Sequence, residues 1–497
     1  MTGVRARAGV GSGSGRVGGS DRLAPKGAGL TASGRRAGLV RGLGAVDGAL
    51  LVVSNIVGAG IFVTPGLVFG YLPSRPAFLG VWLAGGLLAL AGALCYAELA
   101  AMNPRSGGEY VYIRRAFGPL AGFLSGWTSF VAGFSGAVAA AAVGFAVYLG
   151  RLVPLAGDAS PLIDASLGPL ALGVSPRSLV AVAVIAAFTI IHLRGLGPGR
   201  AVQNGLAILS VATLIGLVAA GFWRSTAPAL AAAPAPQASA ASGVFLALIL
   251  VMFTYSGWNA AAYVTEEIRD PGRNILRALV PGTIIVIVLY LGLNALYLRA
   301  LTASVLAGNV AVGYGAARAL FGEPGSLIVA PLVLLALASS ISAMVITGPR
   351  VYFAMARDES FPRPFARVSE GARVPAFAIA AQAVWSCVLV LSGTFEQLLT
   401  YTGFAVVLFA GIAVLGLFLL RRRLPDAPRP FRVPGYPVVP AIFVAASAAM
   451  VVHAIWRAPG PSLAGVLCMA IGVPIHWWST RRAALEHSER GGDHACD

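Results

Sequence analysis

Residues 54–66 read "SNIVGAGIFVTPG" and lie inside an apolar run that begins near Leu50. Gly58-Ala59-Gly60 fall where a membrane-spanning helix should be most regular. In lipid every backbone polar group has to be satisfied internally, so weak helix formers at mid-span demand a reason. The reading that accounts for them is a helix built to break, with the break as the working site.

The rest of the chain supplies the membrane. Of 497 residues, 57% are hydrophobic and 11% charged, and apolar stretches of about 18 residues or more recur along its length. These stretches are continuous rather than alternating, which predicts helices and not a closed barrel. Twelve spans are expected, near 43–70, 78–102, 118–150, 176–193, 202–223, 243–268, 279–298, 326–355, 375–393, 398–420, 437–456 and 461–479. With the N-terminus inside, the outer loops hold only Arg75, Arg151, Arg177, Arg224, Arg299, Arg318 and Arg457, leaving 29 Lys and Arg on the inner side. That asymmetry predicts two cytoplasmic termini, and it explains the net charge of +17 by topology without a nucleic-acid partner.

The expected organisation is a basic, disordered tail over 1–38, five spans over 39–223, five more over 224–424, two added spans over 425–480, and a C-terminal tail over 481–497. The first tail has no apolar core, so it is not read as a signal peptide. It holds Lys26, the only lysine. Cys95, Cys387, Cys468 and Cys496 have neither metal-ligand nor disulfide-framework spacing. His192, His453 and His476 are isolated, and no nucleophile–base pair is visible, so an enzyme is not expected and no cofactor is implied. A channel would want a filter loop or polar ring, and none is present.

Span six carries a second interruption, "FTYSGWN" at 253–259, with Ser256-Gly257 at its middle. Spans one and six occupy matching places if 1–5 and 6–10 are two repeats, and five being odd makes the second repeat inverted. Paired interruptions of this kind point to the binding site of a secondary transporter. After Gly58-Ala59-Gly60 a half-helix begins, and its free N–H groups and positive dipole end suit a carboxylate. The carbonyls freed at Ile56 and Val57, and between Phe253 and Ser256, suit an ammonium group. Together the two sets fit an α-amino acid held by backbone. Gly-x-Gly also serves plain helix packing, but packing does not call for two breaks in register.

"SNIVGAGIFVTPG" resembles the first-helix signature of the amino acid–polyamine–organocation transporters. "YSGWNAAAYVTEEIRDPGRNILRAL" (255–279) resembles their sixth helix, above all in the L-type branch and its bacterial relatives. "CYAELAAMNPRSGGEYVYIRRAFG" (95–118), "GPRVYFAMARDESFP" (348–362) and "LRRRLPDAPRPFRVPGYPVVP" (420–440) resemble family loops. The resemblance covers about 38–480 and implies an all-α membrane protein with the LeuT-like 5+5 inverted-repeat fold, helices 1 and 6 discontinuous, and amino acid transport by alternating access. It places Ile56, Gly58, Ala59, Gly60, Phe253, Ser256, Gly257 and Asn259 at the substrate, with Phe253 as an aromatic gate. Ala59 stands where the family often has Ser, and Asn259 where some cationic-substrate relatives carry a carboxylate. Ser135, Ser342 and Met344 are further candidates for the pocket wall, and ordinary helix packing explains them equally well.

No Asp or Glu lies in the middle of a span, so a cationic side chain would find no counter-charge there, and neutral substrates are expected over cationic amino acids or polyamines. Ser210 falls where many L-type and cationic relatives carry a lysine, at the place of a sodium ion in other transporters of the fold. A neutral Ser does not mimic a cation, which favours exchange or facilitation, although a true cation beside Ser339, Ser340 or Ser342 stays open. Glu98, Arg105, Glu109, Glu266, Glu267, Arg273 and Arg350 are candidates for inward-gate ion pairs. Eukaryotic L-type proteins join a heavy chain through a cysteine between spans three and four; 151–175 has none, so no disulfide-linked partner is expected. The Arg-for-Lys bias suits a bacterial inner membrane.

Overall fold

The computed structural model describes residues 38–167, 170–224, 240–393, 395–457 and 459–479. Both tails, and Cys496 with them, lie outside these apart from Gly38. Among the described residues nine helices are long and apolar enough to cross a membrane, and one bent pair, Ala45–Ile56 with Gly60–Tyr71, makes a further broken span. Two shorter apolar helices, Ser242–Thr254 and Ala376–Ser392, stand where spans six and nine are expected. The all-α membrane architecture is therefore present, with ten of the twelve expected spans meeting the length criterion.

The first span bends by 52° between its halves. Val57 closes the first half by donating its N–H to the Val53 carbonyl. Gly58 and Ala59 lie between the two half-helices, Ala59 capping the second, and their N–H groups have no backbone acceptor among the described residues. Span six stops at Thr254, turns through Tyr255–Asn259, and resumes for only one turn, Ala260–Tyr263, before a tight turn over Thr265–Glu267. Gly257 adopts φ +105°, a conformation that an L side chain resists, and this ends the helix.

The third span contains an unforeseen feature. Its helix widens into a π turn at Ser129–Gly133 between Pro119–Thr128 and Phe134–Leu149. Such single-turn expansions are rare and concentrate at functional sites. The loop before it forms a short helix, Glu109–Phe117, and the loop after it forms a hairpin of Ile163–Leu167 with Leu170–Val174. Span eight belongs to a longer helix, Val312–Arg357, broken where Gly322 takes φ +76°.

Two packing groups place the site. The first span lies against the seventh, Pro271–Ala300, so closely that a Cβ on Gly282 would sit 2.9 Å from the Ala49 carbonyl oxygen. Trp82 of the second span, Arg75–Met102, meets Tyr255 and Tyr290 edge-on at 6.1 and 5.8 Å. A separate apolar cluster joins spans three, four, eight and nine through residues such as Val138, Ile185, Ile341 and Ile379. Small residues allow these approaches where lipid supplies no hydrophobic drive between helices.

Candidate functional site

The two interruptions meet. A Cβ on Gly257 would lie 2.6 Å from the Asn55 carbonyl oxygen, and one on Gly60 would lie 3.2 Å from Cγ2 of Thr254. Each broken span therefore needs glycine where it crosses the other. Around this crossing, Leu51–Ser54, Ile56 and Val57 are buried, as are Val251, Met252, Thr254 and Tyr255. Gly58, Ala59, Gly60, Ser256 and Gly257 are half-exposed within these buried runs. A Cβ on Gly58 would meet nothing within 4 Å, so space opens at the first break. Phe253 is 62% exposed beside it.

The freed carbonyls are partly engaged. The Tyr290 hydroxyl donates to the Ile56 carbonyl at 2.9 Å and lies 3.4 Å from that of Thr254. A carbonyl oxygen has two lone pairs, so Ile56 keeps capacity for a second donor. Tyr290, Asn294 and Tyr297 follow an i, i+4, i+7 spacing and are all buried. That polar stripe in an apolar span is the signal by which the sequence announces them, and neither glycine interruptions nor loop motifs point to it.

Asn259 is buried just past the second break, and its amide donates to Glu109 Oε1 at 2.7 Å and to the Tyr263 hydroxyl at 3.0 Å. Trp258 beside it packs on Tyr96 and Phe443, with ring centroids 4.8 and 5.5 Å away. The other candidate residues fall further out. Ser135 is fully buried in span three, where its carbonyl accepts from Ser386. Ser342 bonds the His192 ring at 2.9 Å, and Met344 belongs to the cluster of spans three, four, eight and nine. The residue of span eight that does face span one is Ser339, whose hydroxyl donates to Ser54 Oγ at 2.7 Å. Ser210 is buried, and its hydroxyl has no hydrogen-bond partner among the described residues.

Charged residues pair where span six ends. Arg350 grips Glu267 with two bonds, of 2.7 and 3.0 Å, and both side chains are almost fully buried. Arg357 holds Glu266 at 2.7 Å, and Arg105 holds Asp358 at 2.7 Å. Backbone joins in, since Leu43 donates to the Glu267 carbonyl and Gly107 to the Tyr263 carbonyl. Span six is thereby tied to span eight, the loop between spans two and three, and the start of span one. Glu98 and Glu109 depart from the expected gate pairs. Glu98 is a clamp between spans two and ten, bound by Arg421 and by the Val433 N–H, and Glu109 meets neutral donors. Arg273 lies outside this set of pairs.

The chain is similar to known proteins over most of its length. A family model described as "Amino acid permease" matches residues 43–476. The human large neutral amino acids transporter small subunit 2 is 29% identical over 449 residues, covering 88% of this chain and 80% of its own length. The serine/threonine exchanger SteT of Bacillus subtilis is 27% identical over 451 residues, with 90% and 98% coverage. The mouse b(0,+)-type amino acid transporter 1 is 29% identical over 430 residues, with 85% and 84% coverage. Two interrupted spans that cross at a half-exposed, uncharged cradle, in a chain matched over nearly all its helical part, place this protein in the amino acid permease family as a multi-pass membrane transporter of amino acids.

Proposed function

We propose that this protein exchanges neutral amino acids across the cytoplasmic membrane by alternating access. The observation that carries the reading is the crossing of the two breaks. Among the described residues the N–H groups at Gly58 and Ala59 have no backbone acceptor, the carbonyls at Ile56 and Thr254 meet at the Tyr290 hydroxyl, and no charged side chain bonds any of these groups. Backbone of this kind recognises the ammonium and carboxylate shared by all α-amino acids, with the helix dipole favouring the carboxylate end. Ile56, Gly58, Ala59, Gly60, Ser256 and Gly257 form the cradle, Phe253 closes over it, and Asn259 supports it from below.

Neutral substrates follow from the missing counter-charge, and the names of two relatives, a large neutral amino acids transporter and a serine/threonine exchanger, support the same class. Ser135, Ser342 and Met344 act by packing, and the neutral Ser210 leaves the cycle without the fixed positive charge that a lysine would supply at the place of a sodium ion. The ion pairs of Glu266 and Glu267 hold the cytoplasmic side closed and have to part for substrate to leave inward. The inner location of 29 basic residues supports cytoplasmic termini. The loop 151–175 has no cysteine for a disulfide-linked heavy chain.

The test is uptake of a labelled amino acid panel into proteoliposomes, without sodium or a pH gradient, with and without unlabelled amino acid inside. Neutral amino acids entering only loaded vesicles is the expected result. Uptake confined to arginine, lysine or polyamines would overturn the substrate class. Uptake that waits for sodium would overturn the reading of Ser210.

A further inference from the structure

Three glutamates are buried near the cytoplasmic ends of the spans: Glu98, Glu267 and Glu109. Glu98 and Glu267 each face an arginine guanidinium. Glu109 faces neutral donors. The Tyr96 hydroxyl donates to its Oε1 at 2.8 Å and the Asn259 amide at 2.7 Å, while Tyr263 is joined to the same group through Asn259. Tyr112, on its own short helix, meets Tyr96 edge-on at 5.6 Å. The charges on neighbouring elements are committed elsewhere: Arg350 to Glu267, Arg105 and Arg114 to Asp358, and Arg421 to Glu98. Among the described residues no cation lies in ion-pair reach of Glu109.

Its place in the fold gives this carboxyl leverage. Glu109 opens the helix of the first inner loop, immediately after Gly107 and Gly108, whose φ angles are +116° and +51°. Gly107 donates its N–H to the Tyr263 carbonyl at 3.0 Å. One carboxyl therefore touches the loop that seals the cytoplasmic face and, through Asn259, the residue next to the break in span six. When the loop and span six separate, the carboxyl leaves its dry cage for water.

We propose that Glu109 is a proton-binding site of the transport cycle, protonated while the inner loop is packed on span six and ionised when they part. The proton leaves the carboxyl for cytoplasmic water and returns from it on reclosure, so cytoplasmic pH biases the inner gate. Burial pushes the carboxyl up from 4.5 to about 7, and the neutral donors around it, Tyr96 first, offset part of that rise. Burial disfavours the charged form, whereas water restores the ordinary carboxylate range. The sign follows. Between the ordinary value of 4.5 and about 7 the open carboxyl is ionised while closure takes up a proton, so the closed inner face loses its advantage as pH rises across that range. Above about 7 closure buries a charge without a cation, and the inward-open arrangement keeps its full gain.

This rests on alternating access but is read first without transport. Infrared spectra of the full chain in lipid bilayers should show a protonated-carboxyl band at pH 6 that disappears by pH 8, and Glu109→Gln should lose it. A band absent at pH 6, or one that survives in a folded Glu109→Gln, would overturn the proposal. Should that variant fail to fold, Tyr96→Phe removes one donor to the anion and should shift the midpoint to higher pH, and an unmoved midpoint would overturn it. In membrane vesicles of uniform orientation, serine exchange should follow the pH of the cytoplasmic face between about 5 and 7 and level off above. A dependence on the opposite face would overturn cytoplasmic release. A titrating band in protein that exchanges no amino acid of the panel at any pH would support the proton site and sink the transport reading instead.

Discussion

The Tyr290 hydroxyl donates to the Ile56 carbonyl at 2.9 Å, so a side chain of the seventh span holds the open end of the broken first span. The same hydroxyl lies 3.4 Å from the Thr254 carbonyl at the end of the other broken helix. A single phenol thus ties both breaks to the second-and-seventh-span wall, where Trp82 and Tyr255 pack around it. Breaking a helix in lipid strands carbonyls that cost several kcal/mol each when unmet, on the order of a lost buried hydrogen bond. Tyr290 offsets part of that cost and still leaves Ile56 able to accept an ammonium proton.

Tyr290→Phe should therefore weaken substrate binding more than turnover. Losing one hydrogen bond costs about 1 kcal/mol net, which is roughly a five-fold rise in KM. Exchange kinetics that separate KM from the maximal rate check this. An unchanged KM would remove Tyr290 from the site.

Gly58 and Gly257 should fail in different ways. Nothing lies within 4 Å of a Cβ at Gly58, so Gly58→Val should fold with wild-type thermal stability and lose transport by filling the cradle. At Gly257 the φ of +105° and the Asn55 carbonyl at 2.6 Å oppose any side chain. Gly257→Ala should be destabilised by at least the ~1–3 kcal/mol of a strained backbone conformation. Thermal unfolding in detergent alongside uptake separates the two.

Arg350→Ala should strand the buried carboxylate of Glu267. Removing one partner of a buried pair costs about 3–5 kcal/mol, and here the cost falls on the arrangement closed toward the cytoplasm. Labelling of a cysteine placed near Glu267 should become faster in the variant. Adding Glu267→Gln should return it toward the wild-type rate, because the uncompensated charge is gone.

Glu98 offers the contrasting case. It binds Arg421 at 2.8 and 2.6 Å and accepts from the Val433 N–H at 2.7 Å, far from the breaks in its hydrogen bonding. Glu98→Gln should lower the melting temperature and leave KM for substrate as it was. A variant with ordinary stability and a raised KM would reassign Glu98 to the gate.

Both interruptions of the candidate site were legible because breaking a helix in lipid leaves a mark in composition. Gly58, Gly60 and Gly257 stand out from apolar surroundings, and their spacing along the chain matches a repeat. The partners of the break were less visible. Tyr290, Asn294 and Tyr297 share a helical face, yet a polar stripe does not name what it touches. Ser342 and Met344 illustrate the converse. They lie near Ser339 in sequence, but helix rotation turns Ser339 to Ser54 and Ser342 to His192.

By itself, the sequence determined the membrane class, the places of the two breaks and the uncharged character of the cradle. Each of these is set by local composition against a solvent that tolerates no unpaired backbone. Only the tertiary structure decided which carboxylates meet arginine. Glu98, Glu109 and Glu267 look alike as acidic residues at span ends. Packing delivers a guanidinium to two of them and leaves the third among phenols and an amide, because contacts between spans distant in sequence depend on how helices tilt and rotate.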